Sequence, residues 1–313
     1  MIFFKNKNLS DSQMNNFYII VKVIKPMKFL VIGNLTKDLI KTGQNEKIAF
    51  GGSSSYSSIT AKRLGCQSFV LSRGNEEFKD WIDFLEKEEI KVELQKSKKI
   101  TSFVNEYTEF GRTQKILSDA GKIEFKNLGE MDAIHIGPVF NEITLECVKK
   151  ARKNCKLLSL DVQGFVRKSV KGGVEKKFWK EREKFLKYVD LLKVSADEIT
   201  SVSDELNYED VCKELVNLGV KVVELTFGEK GSIVFGEKLH KIPVYKTNVI
   251  DKTGSGDVYA TAFAIRYFET KDELNSGLFA SAAASFVVED FGTNNIAEKD
   301  RVEERYKELK VIQ

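Results

Sequence analysis

The chain carries Asp251-Lys252-Thr253-Gly254-Ser255-Gly256-Asp257, followed directly by Val258-Tyr259-Ala260-Thr261-Ala262-Phe263-Ala264-Ile265. Small and apolar residues after the run read as a buried helix, and Gly-Ser-Gly as the turn that opens it. The first amides of such a helix have no intrahelical acceptor, and the helix dipole adds positive potential at the same end. Glycines keep side chains out of the way, so an anion can reach the backbone. Asp257 then falls in the first turn, beside whatever anion binds. A carboxylate there is electrostatically awkward unless it takes up a proton, as a base does when a hydroxyl attacks a phosphoryl group. The same pattern also serves a plain structural end, since an aspartate in a first turn complements the dipole. Two phosphate loops are excluded. No Gly-Lys-Ser/Thr ending is present, and Tyr259 stands where a dinucleotide fingerprint needs its third glycine.

Outward from this run, six short apolar stretches read as buried strands of the parallel kind: 29–32, 68–71, 133–136, 157–160, 191–194 and 222–225. Helical patterns at 54–64, 76–88, 144–153 and 208–218 alternate with them. This order predicts an α/β fold, a doubly wound, mostly parallel sheet flanked by helices. Ligands of such sheets bind outside the carboxyl ends of the strands, where Gly33, Asp161, Ser195 and Thr226 fall. Two stretches break the alternation. Residues 100–118 read as two extended arms about Phe110-Gly111-Arg112, and 42–50 lack a helical stripe. They predict a small antiparallel β lid, able to close over a substrate and exclude water. A small-residue helix over 273–289 reads as a close-packing element.

With 313 residues, 42% of them hydrophobic, the chain is long enough to bury a sizeable core. Fifty basic against 46 acidic residues give a net charge of +4. Four lysines and one acid before Met27 supply most of it, so residues 1–26 read as an appendage and 27–313 as the body. Dispersed charge of this kind argues against nucleic acid. The four cysteines are far apart, without zinc or disulfide-framework spacing. Of the two histidines, His135 sits in an apolar run and reads as an interior side chain, and His240 has no assigned role. No apolar run reaches the ~20 residues of a membrane span, and no cleavage-site pattern follows residues 17–21. The expected compartment is soluble, reducing and cytoplasmic.

With these motifs in place, the chain resembles the ribokinase-like carbohydrate kinases, the PfkB family, from about residue 27 onward. DKTGSGD with VYATAFA is similar to that family's C-terminal signature. Gly33-Asn34-Leu35-Thr36-Lys37-Asp38, Gly51-Gly52, Ser195 through Glu198, and Thr226-Phe227-Gly228 with Gly231 follow in the family's order. The resemblance implies an ATP- and Mg2+-dependent kinase. Asp257 would be the base, with Gly254, Ser255 and Gly256 as the anion hole for the transferred phosphoryl. Asp38, Gly51, Gly52, Tyr56 and Asp161 would meet the acceptor, since a carboxylate can accept from two vicinal hydroxyls. Ser195, Glu198, Thr226, Gly228, Gly231, Thr253 and Gly292 would serve the nucleotide, with Glu198 reaching the metal through water. Two positions depart from the family. Ser195 stands for the asparagine of Asn-x-x-Glu, and Tyr56 for an asparagine after the Gly-Gly pair. A tyrosine ring makes this segment more similar to the inositol-kinase-like members, where a flat cyclic polyol could lie against it. Arg167, in the Asp161–Arg167 segment, would meet a phosphate or substrate acid, or form a surface salt bridge. A nucleoside kinase of the same family and a non-catalytic nucleotide- or sugar-binding regulator stand as the alternatives. A homodimer through the lid is the expected assembly.

Overall fold

The computed structural model describes residues 25–108 and 111–312. Most of the 1–26 appendage lies outside the described residues, as does Phe110 of the expected turn. In chain order, β1 (Lys28–Ile32), β2 (Thr36–Thr42) and β3 (Asn45–Gly51) precede α1 (Ser53–Arg63). Then come β4 (Gln67–Gly74), α2 (Lys79–Lys87), β5 (Lys91–Lys96), and a hairpin of β6 (Ser102–Thr108) and β7 (Gly111–Ser118). β8 (Met131–Ile136), α3 (Leu145–Lys153) and β9 (Cys155–Asp161) lead to a second hairpin, β10 (Arg167–Val170) and β11 (Gly173–Lys176). α4 (Arg182–Leu186), β12 (Leu191–Ser195), α5 (Tyr208–Asn217) and β13 (Val222–Thr226) complete the alternation. β14 (Ser232–Phe235) and β15 (Leu239–Ile242) precede α6 (Ser255–Thr270), α7 (Glu273–Val287) and α8 (Lys299–Ile312).

Nine strands form the larger sheet, in the order β15-β14-β13-β12-β9-β8-β1-β4-β5. Pairing is parallel from β13 to β5, and antiparallel only where β14 and β15 extend one edge. Its strands are apolar along their length because both faces are covered. Within β1, Phe29 and Val31 pack with α1, α6, α7 and α8, while Leu30 and Ile32 pack with α3 and α5 on the opposite face. Each fully buried side chain of this size stabilises by about 1.5–3 kcal/mol. Between α6 and α7 the buried residues are largely small: Ala260, Ala262 and Ala264 on one, Ala280, Ala282 and Ala283 on the other. Small side chains bring the two helices close and make the pair a rigid block.

A second sheet has six strands in the order β10-β11-β7-β6-β2-β3. All pairs are antiparallel except β2 with β6, which run parallel. It is larger than the sequence suggests. β2 begins at Thr36, only four residues beyond the end of β1, and the β10–β11 hairpin joins its far edge. That hairpin escapes a sequence reading because Arg-Lys-Ser-Val and Gly-Val-Glu-Lys have no apolar alternation. The passage from body to second sheet is buried and fastened. Asn34 Nδ2 donates to Thr101 Oγ1 (2.9 Å), Leu35 N to Ser72 Oγ (2.9 Å) and Lys37 N to Thr101 O (3.3 Å). Among the described residues the second sheet exposes Ile48 at 65% and Leu117 at 60%, and Val170 at its far edge less so.

Candidate active site

Gly254 caps α6 with φ 78°, in the left-handed region that glycine tolerates. A Cβ there would fall 2.1 Å from a ring carbon of Tyr56, so the turn is pressed onto that ring. Asp251 fixes the approach, its Oδ1 accepting from Thr253 N (2.9 Å) and Thr253 Oγ1 (2.7 Å). Val258 N donates to Gly254 O (2.9 Å) and closes the first turn of α6. The amides of Gly256 and Asp257 precede that bond, at the positive end of a 16-residue helix. Gly254, Ser255, Gly256 and Asp257 all line one cavity of about 870 Å³, at the carboxyl ends of the parallel strands.

Asp38, Gly52, Tyr56 and Asp161 line the same cavity. Asp38 is not a loop residue but the third residue of β2, so the second sheet carries it to the site. Its carboxylate accepts from Phe103 N (3.1 Å) and Asn105 Nδ2 (3.3 Å), both on neighbouring β6. Gly52 precedes α1 with φ 82°, and a Cβ there would lie 2.5 Å from Asn34 O. Gly51 ends β3 and does not line the cavity. Asp161 ends β9, with Oδ1 accepting from Gln163 N (2.9 Å). Tyr56 is nearly buried, and its phenol is pushed up by burial and by Asp251, Asp257 and Asp38. Arg167 also lines the cavity, donating to Val139 O (3.0 Å).

Ser195, Glu198, Thr226, Gly228, Gly231 and Thr253 line the other part, and Gly292 does not. Glu198 Oε2 accepts from Ser195 N (2.9 Å), and Ser195 Oγ donates to Asp197 Oδ1 (2.6 Å). Gly231, at φ 86°, could carry no Cβ, which would lie 2.2 Å from Ile242 O. Val244, Ala284 and Val288 add an apolar end.

Asp257 is half-buried in the cavity wall. Burial, then the nearby Asp161 charge, push its carboxyl up to about 6; the Ser53 hydroxyl, which closes no ordinary hydrogen bond, pulls back with Lys193 and Arg167. Two charged residues of this region went unread in the sequence because they sit inside apolar strands. Lys193, in Leu191–Ser195, lies 3.0 Å from Asp161 Oδ2 and 3.9 Å from Glu198 Oε2. Glu224, its register partner on β13, is fully buried, and burial raises its carboxyl well above the usual range. A lone charge within a buried-strand run was the signal available. His135 is fully buried, its Nδ1 3.0 Å from Ser159 Oγ, and burial holds it down to about 4 and neutral.

Among the described residues no group of three His, Cys, Asp or Glu side chains could hold a metal ion. Magnesium typically takes one or two carboxylates and completes its shell with water and phosphate oxygens. The buried Glu198 carboxylate, in the same cavity as the α6 turn, fits that habit.

Comparison with known proteins bears on the family and the fold. The model of the pfkB family carbohydrate kinases matches residues 23–300. A nucleoside kinase of Methanocaldococcus jannaschii is 29% identical over 282 residues, covering 84% of this chain and 87% of that protein. A nucleoside kinase of Methanothermobacter thermautotrophicus is 35% identical over 118 residues, which cover 37% of this chain and 38% of its length. Among solved structures, a pyrophosphate-dependent kinase in the ribokinase family, complexed with a pyrophosphate analog and myo-inositol, superimposes with a TM-score of 0.78. It is 26% identical and covers 88% of this chain and 99% of its own. With the family model matched over most of its length and a ribokinase-like fold, the chain belongs to the pfkB family of carbohydrate kinases, phosphotransferases whose acceptor is a hydroxyl group.

Proposed function

We propose that the protein is an ATP-dependent kinase that phosphorylates a hydroxyl of a sugar or an inositol-like cyclic polyol. The observation that carries this reading is the meeting of Asp257 with the Gly254–Gly256 turn in one cavity. Asp257 takes the proton of the acceptor hydroxyl as its oxygen bonds to the terminal phosphorus, and the bond from that phosphorus to the bridging oxygen breaks, releasing ADP. The amides of Gly254, Ser255 and Gly256 hold the charge that spreads over the transferred oxygens, a term often worth about 3–4 kcal/mol of barrier. Asp38 and Asp161 accept hydrogen bonds from the acceptor's other hydroxyls, beside Gly52 and the Tyr56 ring. Ser195, Glu198, Thr226, Gly228, Gly231 and Thr253 serve the donor, while Gly292, outside the cavity lining, takes no part in this reading. Glu198 would hold magnesium, by way of water, and the ion would supply neutralisation of phosphate charge.

The polar lining around Asp38, Gln114, Asp161 and Gln163 supports a polyhydroxylated acceptor, as does the myo-inositol named with the structural relative. A nucleoside acceptor is the second reading, favoured by the Methanocaldococcus jannaschii relative. Phosphate transfer from ATP to myo-inositol, ribose, fructose and adenosine, run side by side, separates the two. In the active pairing, Asp257→Asn is expected to lower kcat by about 10²–10⁴-fold while ADP still binds. Turnover near the wild-type rate would remove Asp257 from the chemistry. The four cysteines are all free, which supports a reducing, cytoplasmic setting; no helix among the described residues is long and apolar enough to cross a membrane. Ile48 and Leu117 on the second sheet support a homodimer through that surface.

A further inference from the structure

Lys193 lies in the middle of β12, between Leu192 and Val194, with its side chain 6% exposed. A buried ammonium is costly unless its partners hold it, so the partners indicate its use. One is Asp161 on β9, 3.0 Å away, and the other is Glu198 in the segment after β12, 3.9 Å away. Both carboxylates are buried to a similar degree, and both line the cavity. They serve opposite halves of the reaction, Asp161 the acceptor and Glu198 the donor. The ammonium also lies 3.0 Å from where a Cβ of Gly256 would sit, which places it directly against the α6 turn. Glu224 on β13 and Asp257 on α6 are the remaining charges near it. Both Glu224 oxygens are without a hydrogen-bond partner among the described residues.

Resting on the kinase reading above, we propose that Lys193 is a positioning residue, its ammonium locking the acceptor-side Asp161 and the donor-side Glu198 into one unit against the phosphate-binding turn. A lysine needed for packing alone would be satisfied by Asp161. The second carboxylate, on a different segment, is what couples the two halves of the cavity. In a site screened from water such a link is stiff. Alignment of two reactants depends on stiffness of this kind, since a misplacement of about 1 Å can cost about 10²-fold in rate.

The test is a double-mutant cycle read by calorimetric binding of ADP with magnesium, beside steady-state turnover with the best acceptor of the panel. Lys193→Met and Glu198→Gln are each expected to weaken magnesium-dependent ADP binding by about 10- to 100-fold. The double variant is expected to lose no more than the worse single one, because the lysine acts through the glutamate. In turnover, Lys193→Met is also expected to raise KM for the acceptor, through Asp161. Additive losses in the cycle overturn the proposal, and so does wild-type affinity in a folded Lys193→Met. Should that variant fail to fold, Lys193→Gln, which keeps a donor for both carboxylates' oxygens, carries the same cycle with smaller losses. If the wild-type protein binds ADP but phosphorylates no acceptor, the kinase reading fails while the binding cycle still decides the role of Lys193.

Discussion

Asp257, the proposed base, illustrates how burial moves an ordinary carboxyl toward neutral pH. Its folded value of about 6 lies above the ~3.9 of an unfolded aspartate, so ionising it opposes folding. The stability of the protonated form is fully present below the unfolded value and lost as pH rises through about 6. Two outcomes follow at this single position. The pH profile of kcat/KM should rise through about 6 and level off above it, because only the ionised carboxylate accepts a proton. Asp257→Asn should melt no lower than wild type at pH 8, by calorimetry, despite its lost turnover. Gly254 gives the opposite case. Gly254→Ala must hold a side chain at φ 78° and press its Cβ onto the Tyr56 ring, a cost of about 2–4 kcal/mol in urea unfolding. Asp257, its turn and Asp38 were legible in the sequence because small residues and acids in fixed order are unusual there. Lys193 and Glu224 were not, since their neighbours are apolar and their partners lie on other strands.

Among the elements, the parallel strands were the easiest to read. β1, β8, β9, β12 and β13 are covered on both faces, and so appear as continuous apolar runs. β14 and β15 are only four residues each, and β10 and β11 are charged and exposed, so neither hairpin has a period to detect. The parallel pairing of β2 with β6 joins segments more than sixty residues apart, a contact that local pattern does not encode. Between α6 and α7, composition does carry the geometry. Ala280 has no exposed surface, and Ala280→Leu should destabilise by about 1–3 kcal/mol through overpacking, read as a lower urea midpoint with an unchanged slope.

For the whole molecule, the second sheet is a wall of the cavity and the surface proposed above for association. A protein that dimerises there should sediment at twice its 35.5 kDa chain mass, and Ile48→Lys with Leu117→Lys should shift it to the monomer. Sedimentation of wild type as a monomer at micromolar concentration would remove this assembly. The two walls differ in how they are held. Asp257 rides on the first turn of α6, which is packed against α7 over its length, whereas Asp38 rides on β2, outside the nine-stranded sheet. Breathing that admits and releases ligands is expected on the Asp38 side, hinged beyond the fastened passage at Asn34–Lys37, while Asp257, the proposed proton acceptor, stays with the α6–α7 block. Drag from a viscous solvent would then act on turnover through the swing of that outer wall, and leave the bond-making step itself untouched.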